Sequence, residues 1–126
     1  MANDSTELAQ SVDPNRLELT NETGTAGVLR GHRCTSCSIS VFGLATFCQS
    51  CTSSDLEAIR LDEHGTLYSY TVVRVPPREW PGNVPYTLGE VELPEGPHVL
   101  AEVIGCESSD LKIGMRMDLA IELVSI

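Results

Sequence analysis

Four of the five cysteines lie within eighteen residues, as C-x2-C-x10-C-x2-C: Cys34, Cys37, Cys48 and Cys51. A two-residue gap lets a tight turn point two thiolates at one ion. The ten-residue spacer, SISVFGLATF, is long enough for a short hairpin that brings the second pair opposite the first. Four thiolates around one cation describe a structural zinc site. Such a site leaves no open position for water or substrate, so Zn²⁺ is expected to fold the segment rather than to catalyse. Iron in a rubredoxin-like site is the rival ion. Ser38 and Thr52 follow the second cysteine of each pair, where rubredoxin turns usually carry glycine, and this favours zinc. The first residues, MANDSTELAQSVDP, show neither a basic nor an apolar leader segment. The chain therefore reads as cytoplasmic, with reduced thiols, and a disulfide framework is disfavoured.

Charge narrows the partners. The formal net charge of the 126 residues is −10. Residues 1–29 sum to −4, residues 30–60 to +1 and residues 61–126 to −7. Nucleic-acid affinity comes mostly from Lys and Arg on phosphates, so an acidic chain is expected to bind none. No run approaches the roughly 20 apolar residues of a membrane span. Arg30, His32, Arg33 and Arg60 flank the cysteines. Two readings stand for them: donors that offset thiolate charge, or solvated surface bases.

The apolar pattern divides the chain into three parts. Residues 1–26 are polar and acidic, a flexible or partner-ordered arm for which Leu8, Val12, Leu17 and Leu19 are the available anchors. Residues 27–55 form the zinc ribbon. Residues 56–126 read as short strands: 57–61, 66–75, 86–93, 98–105 and 117–124, separated by turn signals. The predicted fold is mostly β, with an N-terminal zinc ribbon followed by a small, closed, OB-fold-like Greek-key β-barrel.

No catalytic set emerges. His32, His64 and His98 are scattered and read as surface or turn residues, His32 with a further option beside the metal. Cys106 reads as a small buried thiol. The loop PPREWPGNVP (76–85) holds Arg78 and Trp80 close together. Both types anchor interfaces, which makes them partner-contact candidates. The alternatives are a hairpin connection whose tryptophan caps the barrel and a lid over a ligand.

The text LRGHRCTSC (29–37), CQSC (48–51), GTLYSYTVV (65–73), PPREWPGNVPYTLGEVEL (76–93), EGPHVLAEVIGC (95–106) and LKIGMRMDLAIE (111–122), in that order, resembles the DUF35 family. In that family a rubredoxin-like zinc ribbon precedes an OB-fold. The resemblance implies a non-catalytic subunit of a thiolase-type acyl-CoA complex, a hetero-oligomer in which the CoA thioester sits only in the partner's site. Members serve in aromatic-compound breakdown, such as the benzoylsuccinyl-CoA thiolase of toluene catabolism. Others bridge a thiolase and a hydroxymethylglutaryl-CoA synthase, or act in steroid degradation. Many members begin with an aromatic-rich helix, whereas residues 1–28 here contain no aromatic. The short form fits a subunit attached to a complete thiolase. A nucleic-acid-binding adaptor and an electron carrier or independent small enzyme are the alternatives from other classes.

Overall fold

A computed structural model describes residues 10–80 and 82–122. Among these the chain is mostly β, with eight strands, no α-helix and one short 3-10 turn at Ser108–Asp110. The strands are β1 (Leu17–Leu19), β2 (Gly27–Cys34), β3 (Ser40–Phe42), β4 (Leu56–Arg60), β5 (His64–Val73), β6 (Tyr86–Glu92), β7 (His98–Val103) and β8 (Arg116–Asp118). The described chain forms two compact units. One holds residues 10–63 with 119–122, the other residues 64–118.

The first unit is organised by β2. On one edge β2 pairs antiparallel with β4, from Arg30 opposite Arg60 to Cys34 opposite Leu56. Its other edge is shared by β1 and β3 in succession. Arg30 marks the handover, its amide donating to the Arg16 carbonyl and its carbonyl accepting from the Gly43 amide. Gly31 permits this crowding, because a Cβ there would collide with the Val41 carbonyl oxygen. Leu17 and Leu19, two of the arm's candidate anchors, lie in β1. Its turn back to β2 is held by Asn21, whose side-chain oxygen accepts from the amides of Gly24, Thr25 and Ala26. Leu29 and Leu61 are buried here, together with Cys34 and Cys48.

The second unit is an antiparallel sheet in the order β7-β6-β5-β8. Three consecutive strands with a fourth returning beside the first make a Greek key. The strand-forming content of β5, with its Tyr, Thr and Val residues, suits a half-buried pleated surface. Leu67, Val91 and Val99 stand opposite one another on one face. The β5–β6 register shifts between Leu67 and Ser69, and such a bulge bends a strand and increases its twist. Leu67 is 0% exposed and, with Leu93 and Leu111, forms the core. Its backbone also bonds Met115 and Gly114, which lead into β8.

The sheet is curled and OB-like, but it is not a closed barrel: among the described residues no ladder joins β7 to β8. The terminal strand is the reason. The period-two pattern of 117–124 predicted a long strand, yet its partner β5 begins at His64, which stands opposite Asp118. Past that register one further bond follows, from the Leu119 amide to the Glu63 carbonyl at 2.8 Å, before the pairing ends. Residues 119–122 are not strand, and 123–124 lie outside the described residues.

Candidate metal centre

The two cysteine turns are built alike. Cys34 accepts at its carbonyl from the Ser38 amide at 2.8 Å, and Cys48 accepts from the Thr52 amide at 2.8 Å. Cys34 donates its own amide to the Ile39 carbonyl, and Cys48 to that of Ser53. β2 ends on Cys34 and delivers the first turn, while pairing of β4 with β2 returns the chain after the second. Ser38 and Thr52 both have positive φ, 69° and 62°. These non-glycine residues therefore adopt the backbone conformation that glycine usually serves. Ser38 and Thr52 thus stand, one after each cysteine pair, where a rubredoxin turn would carry glycine.

The turns bring all four sulfurs within 4.8 Å of one another. The Cys34–Cys51 and Cys37–Cys48 Sγ pairs are each 3.5 Å apart. A tetrahedron with metal–sulfur bonds of about 2.3 Å has sulfur–sulfur edges of about 3.8 Å. The four cysteines could therefore hold a metal ion, and among the described residues they form the only such cluster. Cys34 and Cys48 are 1% and 3% exposed, whereas Cys37 and Cys51 are exposed.

Backbone amides dominate the electrostatics. The Cys37 amide, with that of Ser36 and hydrogen bonds to Cys51 and Cys37, lowers the Cys34 thiol from 9.0 to about 6 against the opposing effect of burial. The amides of Cys51 and Ser50 likewise lower Cys48; both lie 3.4 Å from its sulfur. At Cys37 the Ile39 amide favours the thiolate. The hydrogen bond with Cys48, burial, and the nearby Cys51 and Cys34 outweigh it and push that thiol up to about 12. At Cys51 the Ser53 amide is similarly outweighed by Cys34 and burial, and its pKa is raised. A cation bound by all four sulfurs must displace the protons these two retain, so binding releases protons.

Three of the four flanking bases, Arg33, Arg60 and His32, are engaged elsewhere. Arg33 pairs with Glu57 at 3.6 Å and Arg60 with Glu18 at 3.4 Å. His32 uses Nδ1 against the Gly43 carbonyl at 2.9 Å. The sulfurs' neighbours are amides, which sequence reasoning could not place because every residue carries one.

The other candidates lie in the second unit. Trp80 is half-buried and stacks on Tyr86, with centroids 4.3 Å apart and planes 20° apart. Its indole N–H donates to the Asn83 carbonyl at 3.2 Å. Arg78 is exposed. Cys106 is exposed rather than buried. β7 stops at Val103, and Gly105, with φ +86°, turns the chain away before the thiol is reached.

Sequence reading missed two histidine clusters. His98 Nδ1 lies 2.6 Å from Glu90 and Nε2 lies 3.5 Å from Glu92. Ser69 donates to Glu90, and the Tyr68 ring centroid is 4.5 Å from that of His98. His64 meets Asp118 at 2.7 Å, beside Arg116. The first joins the two strands of the β6–β7 hairpin and the second joins residues 54 apart across β5 and β8, so the register reveals both.

Several known proteins are similar. Residues 58–122 match the family described as ChsH2, C-terminal OB-fold domain. Over 91 residues the chain is 32% identical to a DUF35 domain-containing scaffold protein of Methanocaldococcus jannaschii, covering 71% of this chain and 64% of that one. It is 30% identical over 86 residues to the benzoylsuccinyl-CoA thiolase subunit BbsA of Thauera aromatica, covering 68% and 58% respectively. The chain thus spans a little under two thirds of these relatives' lengths. A solved structure described as an Ltp2-ChsH2(DUF35) aldolase superposes with a TM-score of 0.62 at 28% identity, over 72% of this chain and 71% of that one. No helix among the described residues is long and apolar enough to cross a membrane.

Proposed function

The chain belongs to the family of ChsH2-type C-terminal OB-fold domains, the DUF35 group, and from that premise we propose that it is a non-catalytic subunit of a thiolase-type acyl-CoA complex. One observation carries the reading. The likeness to the Ltp2-ChsH2(DUF35) aldolase runs over most of both chains, so it extends beyond the OB-like sheet alone. BbsA, by its name a thiolase subunit, supports the thiolase class and an aromatic acyl-CoA substrate.

In this reading Cys34, Cys37, Cys48 and Cys51 hold Zn²⁺. The ion supplies a cross-link and no reaction chemistry, because four sulfurs fill a tetrahedral sphere. The chain's own residues supply shape: amides of the two turns fix the sulfurs, and Arg78 and Trp80 offer a contact to the partner. Carbon–carbon bond cleavage or formation belongs to the partner, whose site holds the CoA thioester.

The test is co-expression with a thiolase-type acyl-CoA enzyme of the same organism. A stable hetero-oligomer on size exclusion, and thiolase activity that falls when this chain is omitted, are expected. A thiolase fully active and monodisperse alone contradicts the reading. The scaffold relative favours a second form of it, in which the chain joins two enzymes. A complex that also retains a hydroxymethylglutaryl-CoA synthase would select that form.

A further inference from the structure

From Cys34 to Ser54 the chain has no Asp, Glu, Lys, Arg or His, although the whole carries −10. The spacer between the two cysteine turns lies inside this uncharged stretch, and it leaves three large apolar side chains outside. Ile39 is 38% exposed, Leu44 67% and Phe47 59%. The chain's other phenylalanine shows that exposure is not forced by the hairpin. Phe42 is half-buried under the Arg16 guanidinium, 5.3 Å above its ring. Phe47 has no such cover among the ring contacts described.

We propose that Ile39, Leu44 and Phe47 form the anchor that inserts into an uncharged, apolar recess on the acyl-CoA enzyme subunit. This deepens the subunit reading above and rests on it. The charge pattern selects that occupant. A second copy would bring two bodies of −10 together around the tip. An anionic membrane repels an acidic chain, and no basic residue lies within the stretch to offset this. A polynucleotide needs phosphate-binding bases, which the stretch lacks. An apolar recess in a protein needs none. The tip is also preorganised, because it is tied at both ends to the sulfur cluster, so docking orders little new chain. Three side chains supply only part of the roughly 800 Å² per partner of a standard interface. They act as its desolvated centre, the region where substitutions are felt most.

The test uses the full chain and the co-expressed thiolase-type subunit, with binding measured by titration calorimetry. Phe47→Asp and Leu44→Ser each keep the cysteines. Metal content of one ion per chain verifies the turns in each. Leu100→Asp, at a 66% exposed position on the second unit, is the comparison. Phe47→Asp is expected to weaken the complex by roughly 30-fold or more and Leu44→Ser by several-fold, with Leu100→Asp close to wild type. If the wild type binds and both tip variants bind as tightly, the anchor assignment is overturned and the subunit reading stands. If the wild type itself fails to bind, the reading falls and takes the anchor with it. Tip-dependent self-association, or tip-dependent binding to vesicles of phosphatidylcholine and phosphatidylserine, would overturn the assigned occupant.

Discussion

The two units reach order by different means. In the first, two of the four buried residues other than glycine and alanine are metal-ligand candidates, Cys34 and Cys48, beside Leu29 and Leu61. Its longest ladder pairs five residues, β2 with β4. In the second, β5 and β6 pair over most of their length and close on Leu67, Leu93 and Leu111. One unit gathers four cysteines that could hold a cross-linking ion, and the other relies on register and side-chain alternation. A small domain with little apolar burial needs a staple, and the candidate for one sits where the ladders are short.

Metal removal should separate the units most sharply. Structural zinc contributes apparent folding free energies of about 10–16 kcal/mol in small metal-folded peptides. A chelator is expected to collapse the amide dispersion of β2, β3 and β4 in a heteronuclear NMR spectrum while β5, β6 and β7 persist. Equal loss in both units would erase the distinction.

Next in size, Leu67→Ala removes the fully buried side chain of the second unit. The expected cost is about 2–5 kcal/mol by denaturant unfolding, with metal content unchanged. Loss of metal in that variant would mean the two means of support are not separate.

A smaller effect is expected at Thr52. A β-branched residue at positive φ is strained by about 1–2 kcal/mol relative to glycine, partly offset by glycine's greater freedom when unfolded. Thr52→Gly should therefore stabilise the first unit by up to about 1 kcal/mol and slow metal loss to a chelator. Faster loss would show that the threonine contributes something the backbone conformation does not.

The smallest test is electrostatic and confined to the second unit. The hydrogen bond that His98 donates to Glu90, against a smaller effect of burial and with help from Glu92, raises the His98 pKa above 6.5. The same bond to His98, with Ser69, lowers that of Glu90 below 4.5. His98 thus adds stability that is complete below pH 6.5 and fades as pH rises through its raised value. Glu90 adds stability that is complete above pH 4.5 and fades as pH falls through its lowered value. The pair contributes most between pH 4.5 and 6.5. An NMR titration should place His98 above 6.5 in the wild type and nearer to it in Glu90→Gln. An unchanged midpoint would remove the carboxylate as the cause.

Legibility in the sequence followed the same division. The paired cysteines announced their cluster because a two-residue gap has few other uses. β5, β6 and β7 were legible because Tyr, Thr and Val alternate within turn boundaries. β1 was not read as a strand. Three residues carry too little period, although the NETG turn and its Asn21 cap were a usable signal. The last strand was overestimated because alternation reveals a face and not whether a partner is in register. The Leu67 bulge, the His98–Glu90 pair and the amides aimed at sulfur all arise from pairing across the chain. Exposure of Phe47 beside a covered Phe42 depends on where one arginine lies, which no local pattern states.

In the proposed reading a closed, sulfur-only cage folds one unit and leaves chemistry to another protein. X-ray absorption at the metal edge of the purified chain tests it directly. Zinc with four sulfur neighbours at about 2.3 Å and no lighter atom bound to it is the expected result. A nitrogen or oxygen neighbour, above all an exchangeable water, would open the sphere and contradict it.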